Sequence, residues 1–112
     1  IERDGRYWVL DYKSNALGAN DAAYHTQALA AGMAQHRYDI QGAIYMLALH
    51  RLLKSRLGDA YDPAEHLGGA IFLFLRGIAN ADTHGCYWLA PQLELLDGLD
   101  QLLSEEAEHH AA

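Results

Sequence analysis

Two charged side chains, Asp11 and Lys13, stand two residues apart at the end of an apolar stretch. On a β-strand such residues leave the same face, with their Cα atoms roughly 6 to 7 Å apart at about 3.3 Å per residue. A carboxylate can hold Mg²⁺ there, and an ammonium can orient water or stabilise the charge that develops on phosphorus. The pair therefore suits phosphodiester hydrolysis. The side chain of the intervening Tyr12 points away, but its carbonyl oxygen could still bind the ion.

The same two residues have a plainer interpretation as an ordinary strand end at the surface. Charged residues are common there, and so short a motif has many accidental matches. The apolar residues 7–10 shift the balance, because they deliver the charges where a buried strand emerges. From Asp11 and Lys13 alone, however, the surface strand end remains the better interpretation.

A second pair, Gln41 and Tyr45, lies four residues apart and would share one face of a helix. The amide and the hydroxyl could hydrogen-bond phosphate oxygens or catalytic side chains. Alternatively, Tyr45 packs at the edge of the core and Gln41 is solvated, and the two residues alone favour that alternative.

The apolar pattern along the chain predicts one α/β domain, since 112 residues allow a single modest core. Alternating and continuous apolar stretches predict strands, helical periodicity predicts helices, and turn formers predict the connections. The predicted elements are a strand at 6–13, a turn at 14–20, helices at about 21–36 and 40–57, strands at 70–76 and 86–90, and a helix at 91–106.

Two of these elements carry more specific predictions. Asp39 is placed to cap the second helix, whose apolar stripe, with Ile44, Leu47 and Leu52, should be buried. The apolar run at 70–75 has no polar alternation, so we expect a central strand that is covered on both faces.

Composition and charge exclude few classes of function. The net charge of −7 argues against a generally basic DNA-binding surface, but residues 92–112 supply six of those charges. A nucleic-acid substrate is therefore neither supported nor excluded. No apolar run is long enough to cross a bilayer, and the single cysteine, Cys86, fits a reducing cytoplasm. The histidines lack the spacing of a zinc site. The sequence also contains no phosphate-binding loop of the kind that would indicate an ATPase.

Three segments, taken together, resemble a known family. They are GRYWVLDYKSN at 5–15, YDIQGAIYMLALHR at 38–51 and GGAIFLFLRG at 68–77. In this order they resemble the C-terminal nuclease domain of the exodeoxyribonuclease V beta subunit, the RecB family, over nearly the whole chain. The resemblance implies the restriction-endonuclease-like fold of the PD-(D/E)XK superfamily, a mixed sheet flanked by helices.

The resemblance also implies roles for individual residues. Asp11 matches the metal-binding acid of the family, Lys13 its catalytic lysine, and the Tyr12 carbonyl a backbone ligand of Mg²⁺. Gln41 and Tyr45 match the Gln-x-x-x-Tyr motif, which lies beside the active site and the DNA strand.

The cellular setting that the resemblance implies is a bacterial, cytoplasmic helicase-nuclease that processes double-strand breaks. Its other subunits would be RecC and RecD, and RecA would be loaded through this domain. ATP would serve only a helicase part that this sequence does not contain.

The sequence departs from the family at its start. The family carries another metal-binding Asp on the preceding strand and a His further upstream, and both would fall before Ile1. We therefore expect an N-terminally truncated core with an incomplete Mg²⁺ site, which does not cut DNA in isolation. Loss of the preceding strand would also expose a sheet edge, which predicts self-association.

Two other functions are alternatives to the RecB-type nuclease. A stand-alone nuclease of the same superfamily with an iron-sulfur cluster would need several cysteines, and the chain has one. A non-catalytic nuclease-like module would instead dock a recombination partner protein through its helices or acidic tail. Such a module would tolerate replacement of Asp11 and Lys13.

Overall fold

The computed structural model describes residues 1–14 and 21–111. The turn predicted at 14–20 lies outside the described residues, except for Ser14. The elements are β1 (Glu2–Arg3), β2 (Arg6–Lys13), α1 (Thr26–Gln35), α2 (Tyr38–Leu57), α3 (Pro63–His66), β3 (Leu67–Phe74), β4 (Cys86–Leu89) and α4 (Leu93–Ala111). Short 3₁₀ turns occupy Asp21–Tyr24, Gly58–Ala60 and Leu75–Gly77. None of the helices in these ranges combines the length and the apolar character that a membrane span needs.

The strands form a four-stranded sheet in the order β1-β2-β3-β4. The central pair β2 and β3 is parallel, whereas β1 with β2 and β3 with β4 are antiparallel. The parallel pair needs a long crossover, and α1 and α2 lie within it. The predicted α/β class, a mixed sheet flanked by helices, is confirmed. The prediction of a central strand is also correct, because β3 is paired on both sides.

Strand β1 is an element that the sequence prediction missed. Asp4 and Gly5 form the turn to β2 with positive φ values of 54° and 81°. Both residue types tolerate this left-handed conformation, and two such residues make the tight hairpin turn that matches the strand twist. Because β1 is only two residues long, it pairs with the first part of β2 alone.

The core lies between the sheet and the helices, and its largest members on β3 are Phe72 and Phe74, neither of which is exposed. Helix α2 comes very close to this layer at Gly42. A Cβ atom there would lie 2.6 Å from Leu89 Cδ2 and 3.2 Å from the Phe72 ring. The missing side chain thus lets the first turns of α2 lie against the sheet beside the end of β2.

Two predictions about α2 are wrong. Ile44 and Leu52 are 61% and 49% exposed, and the buried positions are instead Gly42, Met46, His50 and Leu53, with Leu47 partly buried. Apolar residues surround this helix on nearly all sides, so their spacing did not identify the face that meets the sheet.

The start of α2 also differs from the prediction. The helix begins at Tyr38, after Arg37 in a left-handed conformation with φ of 55°, and Asp39 lies inside the first turn. There the Asp39 carboxylate accepts hydrogen bonds from the Arg37 guanidinium, so it does not cap the helix.

The other elements differ from their predicted bounds for local reasons. The stretch predicted as a helix at 21–36 contains a 3₁₀ turn and then α1, which starts after His25 because its imidazole accepts a hydrogen bond from the Ala28 amide. Strand β3 begins at Leu67, before the predicted 70, and ends at Phe74. It includes Gly68, where a Cβ atom would lie 2.3 Å from the Trp8 ring. Strand β4 ends at Leu89, one residue early, and α4 spans Leu93–Ala111.

Candidate active site

Asp11 and Lys13 lie near the carboxyl end of β2, on the face of the sheet that α2 covers. They stand opposite Phe72 and Phe74 in the parallel register with β3. Tyr12, between them, points to the other face, and its side chain is 59% exposed. Because Gly42 draws α2 onto the sheet, the neighbouring Gln41 reaches this strand end. Two sequence motifs that are separated by 28 residues thus meet at one place.

The Lys13 ammonium is the centre of the site. Its Nζ atom lies 3.0 Å from Asp11 Oδ2 and donates a 2.7 Å hydrogen bond to Gln41 Oε1. The side chains of Lys13 and Asp11 are only 13% and 21% exposed. In so sheltered a place an ion pair is screened less than at the surface. The arrangement therefore holds a positive charge beside a carboxylate with little freedom for either group.

Gln41 connects Lys13 to Tyr45. Lysine can only donate hydrogen bonds, so the amide must present its oxygen to Lys13 and its nitrogen elsewhere. The nitrogen donates to the Tyr45 hydroxyl oxygen at 2.8 Å. Since the Tyr45 oxygen accepts this bond, its own O–H remains able to donate to a group outside the site.

Asp11 Oδ2 is a buried carboxylate oxygen that accepts no hydrogen bond. Lys13 Nζ lies within ion-pair distance, but its direction does not satisfy hydrogen-bond geometry. The Lys13 charge offsets part of the cost of burying this anionic oxygen, and a ligand that bonds to it directly would offset more. Carboxylate and carbonyl oxygens are also the ligands that Mg²⁺ prefers, often one or two carboxylates with water and phosphate oxygens. The oxygen atoms of the Asp11 carboxylate and the Tyr12 carbonyl are therefore ligands of the kind that this ion binds.

Within the described ranges, no group of three or more His, Cys, Asp or Glu side chains gathers as a metal cage would require. A metal at Asp11 would have to draw its other ligands from water, from substrate or from residues outside those ranges.

Sequence reasoning missed two residues that contact this site. Tyr38 places its ring under the Lys13 ammonium, with Nζ 4.1 Å from the ring centroid. Arg76 donates a 2.8 Å hydrogen bond from Nε to the carbonyl of Ser14, directly after β2. The spacing of Tyr38 and Gln41, three residues apart on one helical face, was a signal that could have identified the first. No sequence signal connects Arg76 with Ser14.

No protein-family model matches the chain. Curated relatives do match it, and the three described next are each a RecB subunit of a RecBCD enzyme. The Escherichia coli protein is 47% identical over 105 residues, the Haemophilus influenzae protein 43% over 100, and the Mycobacterium tuberculosis protein 45% over 78. These alignments cover 93%, 89% and 70% of the chain. The chain belongs to the RecB family.

The predicted family is therefore confirmed. The chain spans only 9%, 8% and 7% of the lengths of these RecB relatives. What a complete RecB does consequently comes to this chain only as a proposal.

A second buried polar cluster lies near the other end of α2. Asp100, on α4, is 4% exposed and receives Lys54 Nζ on one carboxylate oxygen at 2.5 Å and Arg51 Nε on the other at 3.2 Å. The hydrogen bond from Lys54 holds the pKa of Asp100 below its usual range. Both oxygens of this carboxylate thus have a cationic partner.

His50 and Tyr61 complete this second cluster. His50 is 3% exposed, and its Nδ1 shares a 2.8 Å hydrogen bond with the Tyr61 hydroxyl, while Nε2 has no hydrogen-bond partner. Burial lowers the pKa of His50, opposed by the negative charge of Asp100. Burial, with the charges of Asp100 and Asp62, raises the pKa of Tyr61 to about 12. Both side chains are therefore neutral near pH 7.

Proposed function

We propose that this chain is the catalytic core of a DNA nuclease that hydrolyses phosphodiester bonds. The observation that supports the proposal most strongly is the position of the Lys13 ammonium. It is held between the Asp11 carboxylate and the Gln41 amide, next to a carboxylate oxygen that has no hydrogen-bond donor. A cation held in a fixed position beside a carboxylate that can bind a metal ion is suited to stabilising the charge that develops on a phosphate.

Each residue has a proposed task. The Lys13 ammonium stabilises the negative charge that develops on the phosphate oxygens, and its fixed position reduces the reorganisation that this requires. Asp11 and the Tyr12 carbonyl would hold Mg²⁺. Bound there, the ion would polarise the phosphate and lower the pKa of a water molecule.

The geometry separates the tasks of Gln41 and Tyr45, which the family resemblance assigned jointly to DNA. The Gln41 oxygen is engaged by Lys13 and its nitrogen donates to Tyr45, so Gln41 acts as a positioning residue. The Tyr45 O–H is the donor that is free to reach a phosphate oxygen of the DNA.

The wider setting follows from the RecB family. The full enzyme would be an exodeoxyribonuclease V that acts in double-strand break repair and recombination in the cytoplasm, with RecC and RecD as further subunits. Contact with RecA, an ATP-driven helicase part outside this sequence, and self-association of the isolated chain stay predictions. So does the inactivity of the isolated chain.

The nuclease proposal is tested in the assembled enzyme that carries this chain in its full-length polypeptide. Asp11→Ala and Lys13→Ala should each lower the cleavage rate of single-stranded DNA with Mg²⁺ by about 10²- to 10³-fold, because each removes a charged group that would stabilise the transition state. ATP hydrolysis by the same complex should not change. Asp59→Ala, at an exposed carboxylate in the 3₁₀ turn after α2, is the matched control and should cleave normally.

A docking module is the second candidate, and one surface favours it. The sheet face that points away from α2 carries exposed Tyr12 and Trp88, and a shallow depression there is lined by Arg6, Trp8 and Ile71 among others. Unchanged cleavage by Asp11→Ala and Lys13→Ala, with altered assembly in Trp88→Ala, would favour docking over catalysis.

A further inference from the structure

Among the described residues, the charged end of Lys13 lies closest to three groups. Two are polar, the Asp11 carboxylate and the Gln41 amide oxygen, and the third is the face of the Tyr38 ring. Nζ lies 4.1 Å from the Tyr38 centroid and 5.8 Å from that of Phe72. Both distances lie within the roughly 6 Å over which a ring face attracts a cation. The ammonium thus rests on an aromatic surface as well as on hydrogen-bond acceptors.

The Tyr38 ring is itself held in place. It stacks on His36 at a centroid distance of 5.2 Å and on Phe72 at 5.9 Å, with interplanar angles of 17° and 12°. Phe72 is fully buried in the sheet, so the stack is anchored in the core. The left-handed conformation of Arg37 sets the chain direction immediately before Tyr38. A ring fixed by both the backbone and its neighbours can fix whatever rests on it.

We infer that Tyr38 is a positioning residue for the Lys13 ammonium, through the face of its aromatic ring. The inference rests on the proposed nuclease function, because it concerns the same lysine. A lysine side chain has four flexible carbons, and its charge would otherwise follow the nearest anion, Asp11. The ring face attracts the ammonium from a different side, which keeps it directed toward the space where a phosphate would lie.

The ring face of Tyr38, and not its bulk, is the group that attracts the ammonium. The quadrupole of an aromatic ring is negative over its face, whereas an aliphatic side chain of similar volume offers no such charge. Fluorine atoms on a phenylalanine ring withdraw electron density and weaken the face with little change of shape. A fluorinated series at this position therefore separates electrostatic positioning from packing.

The experiment measures kcat and KM for single-stranded DNA cleavage with Mg²⁺ in the assembled enzyme. Tyr38→Phe keeps the ring face and is the reference against which the fluorinated rings are compared. Tyr38→Leu should lower kcat by about tenfold and leave KM unchanged, since the proposed role of the ring is to hold Lys13 and not to bind DNA. Stepwise fluorination of the ring in Tyr38→Phe should lower kcat progressively.

Tyr61→Leu is the matched control, because Tyr61 is also half-buried and stacks near a histidine, but lies in the second cluster away from Lys13. It should leave kcat unchanged. The inference is overturned if the fluorinated series is flat, if Tyr38→Leu cleaves normally, or if Tyr61→Leu is as slow as Tyr38→Leu. If Tyr38→Leu does not fold, the fluorinated series decides the question alone.

The same set of variants separates the inference from the function on which it rests. Normal cleavage by Lys13→Ala would overturn both. Loss of cleavage in Lys13→Ala together with a flat fluorinated series would overturn the positioning role of Tyr38 and leave the nuclease proposal standing.

Discussion

Helix α2 carries a sheltered polar cluster near each end, and the two clusters are built from similar parts. Each has a carboxylate, a lysine and a tyrosine ring beside a basic group: Lys13 over Tyr38 at one end, His50 against Tyr61 at the other. They differ in how the carboxylate is satisfied. Asp100 accepts a hydrogen bond from Lys54 on one oxygen and forms an ion pair with Arg51 on the other, whereas the one cation at Asp11 Oδ2 among the described residues, Lys13, forms an ion pair without hydrogen-bond geometry.

This difference indicates which cluster serves chemistry and which serves the fold. A fully partnered carboxylate gains nothing from a ligand, and its charges mainly fix α2 against α4. An oxygen left without a donor costs free energy that a bound cation can recover. The lack of a hydrogen-bond donor to Asp11 Oδ2, more than its burial, distinguishes the proposed active site.

The largest expected effect comes from removing each carboxylate and measuring stability. Asp100→Ala should lower the free energy of unfolding by about 1 to 3 kcal/mol, because it removes a charge-assisted hydrogen bond from Lys54 and an ion pair with Arg51. Asp11→Ala should lower it by less, about 1 kcal/mol, since its ion pair with Lys13 lacks hydrogen-bond geometry and the Lys13 ammonium keeps its bond to Gln41. Urea unfolding of the purified chain measures both values. Equal losses in the two variants would remove the contrast.

A smaller effect is expected from removing the tyrosine hydroxyl of each cluster, Tyr45 in one and Tyr61 in the other. Tyr61→Phe should cost about 1 kcal/mol of stability, because it leaves both His50 nitrogens without a partner in the interior. Cleavage should be unaffected. Tyr45→Phe should instead slow cleavage and cost less stability, since the Gln41 amide keeps its bond to Lys13. Urea unfolding and the nuclease assay, applied to both variants, check the reversal, and a shared pattern would contradict it.

The smallest effect is a dependence of stability on pH. Burial lowers the pKa of His50 below its value in the unfolded chain, about 6.5, so the folded state binds fewer protons. The stability from neutral His50 is present above that pH and declines as the pH falls through 6.5 toward the lowered folded pKa. Asp100 and Asp97 oppose the shift and Lys54 adds to it, which keeps the effect modest.

Urea midpoints between about pH 7.5 and 5 measure this dependence. His50→Gln should flatten the decline, and His84→Gln, at an exposed histidine, is the matched control that should not. A decline that is equally steep without His50 would show that the buried imidazole is not its source.

Several features of this molecule were open to prediction because they depend on local sequence. The strand predicted at 6–13 and β2 cover the same residues, since alternation and chain direction are local properties. The apolar run that became β3 was correctly predicted to be central. Strand β1 was missed because it is two residues long and offers no apolar pattern.

The buried face of α2 shows where local pattern fails. Its leucines, isoleucines and alanines surround the helix, and the face that meets the sheet was selected by the position that allows close approach, Gly42. That choice depends on the shape of the sheet beneath, which no single helix encodes.

The sequence by itself determined the RecB family, the α/β class and the two motifs with Asp11, Lys13, Gln41 and Tyr45. Motifs survive in sequence because their chemistry requires those residue types at short spacings. Only the tertiary structure decided that the Gln41 amide is engaged by Lys13, that Tyr38 lies beneath the ammonium, and that Asp11 Oδ2 is open while Asp100 is not. These relations join residues that are 25 or more positions apart, and only the packing of α2 on the sheet sets their distances.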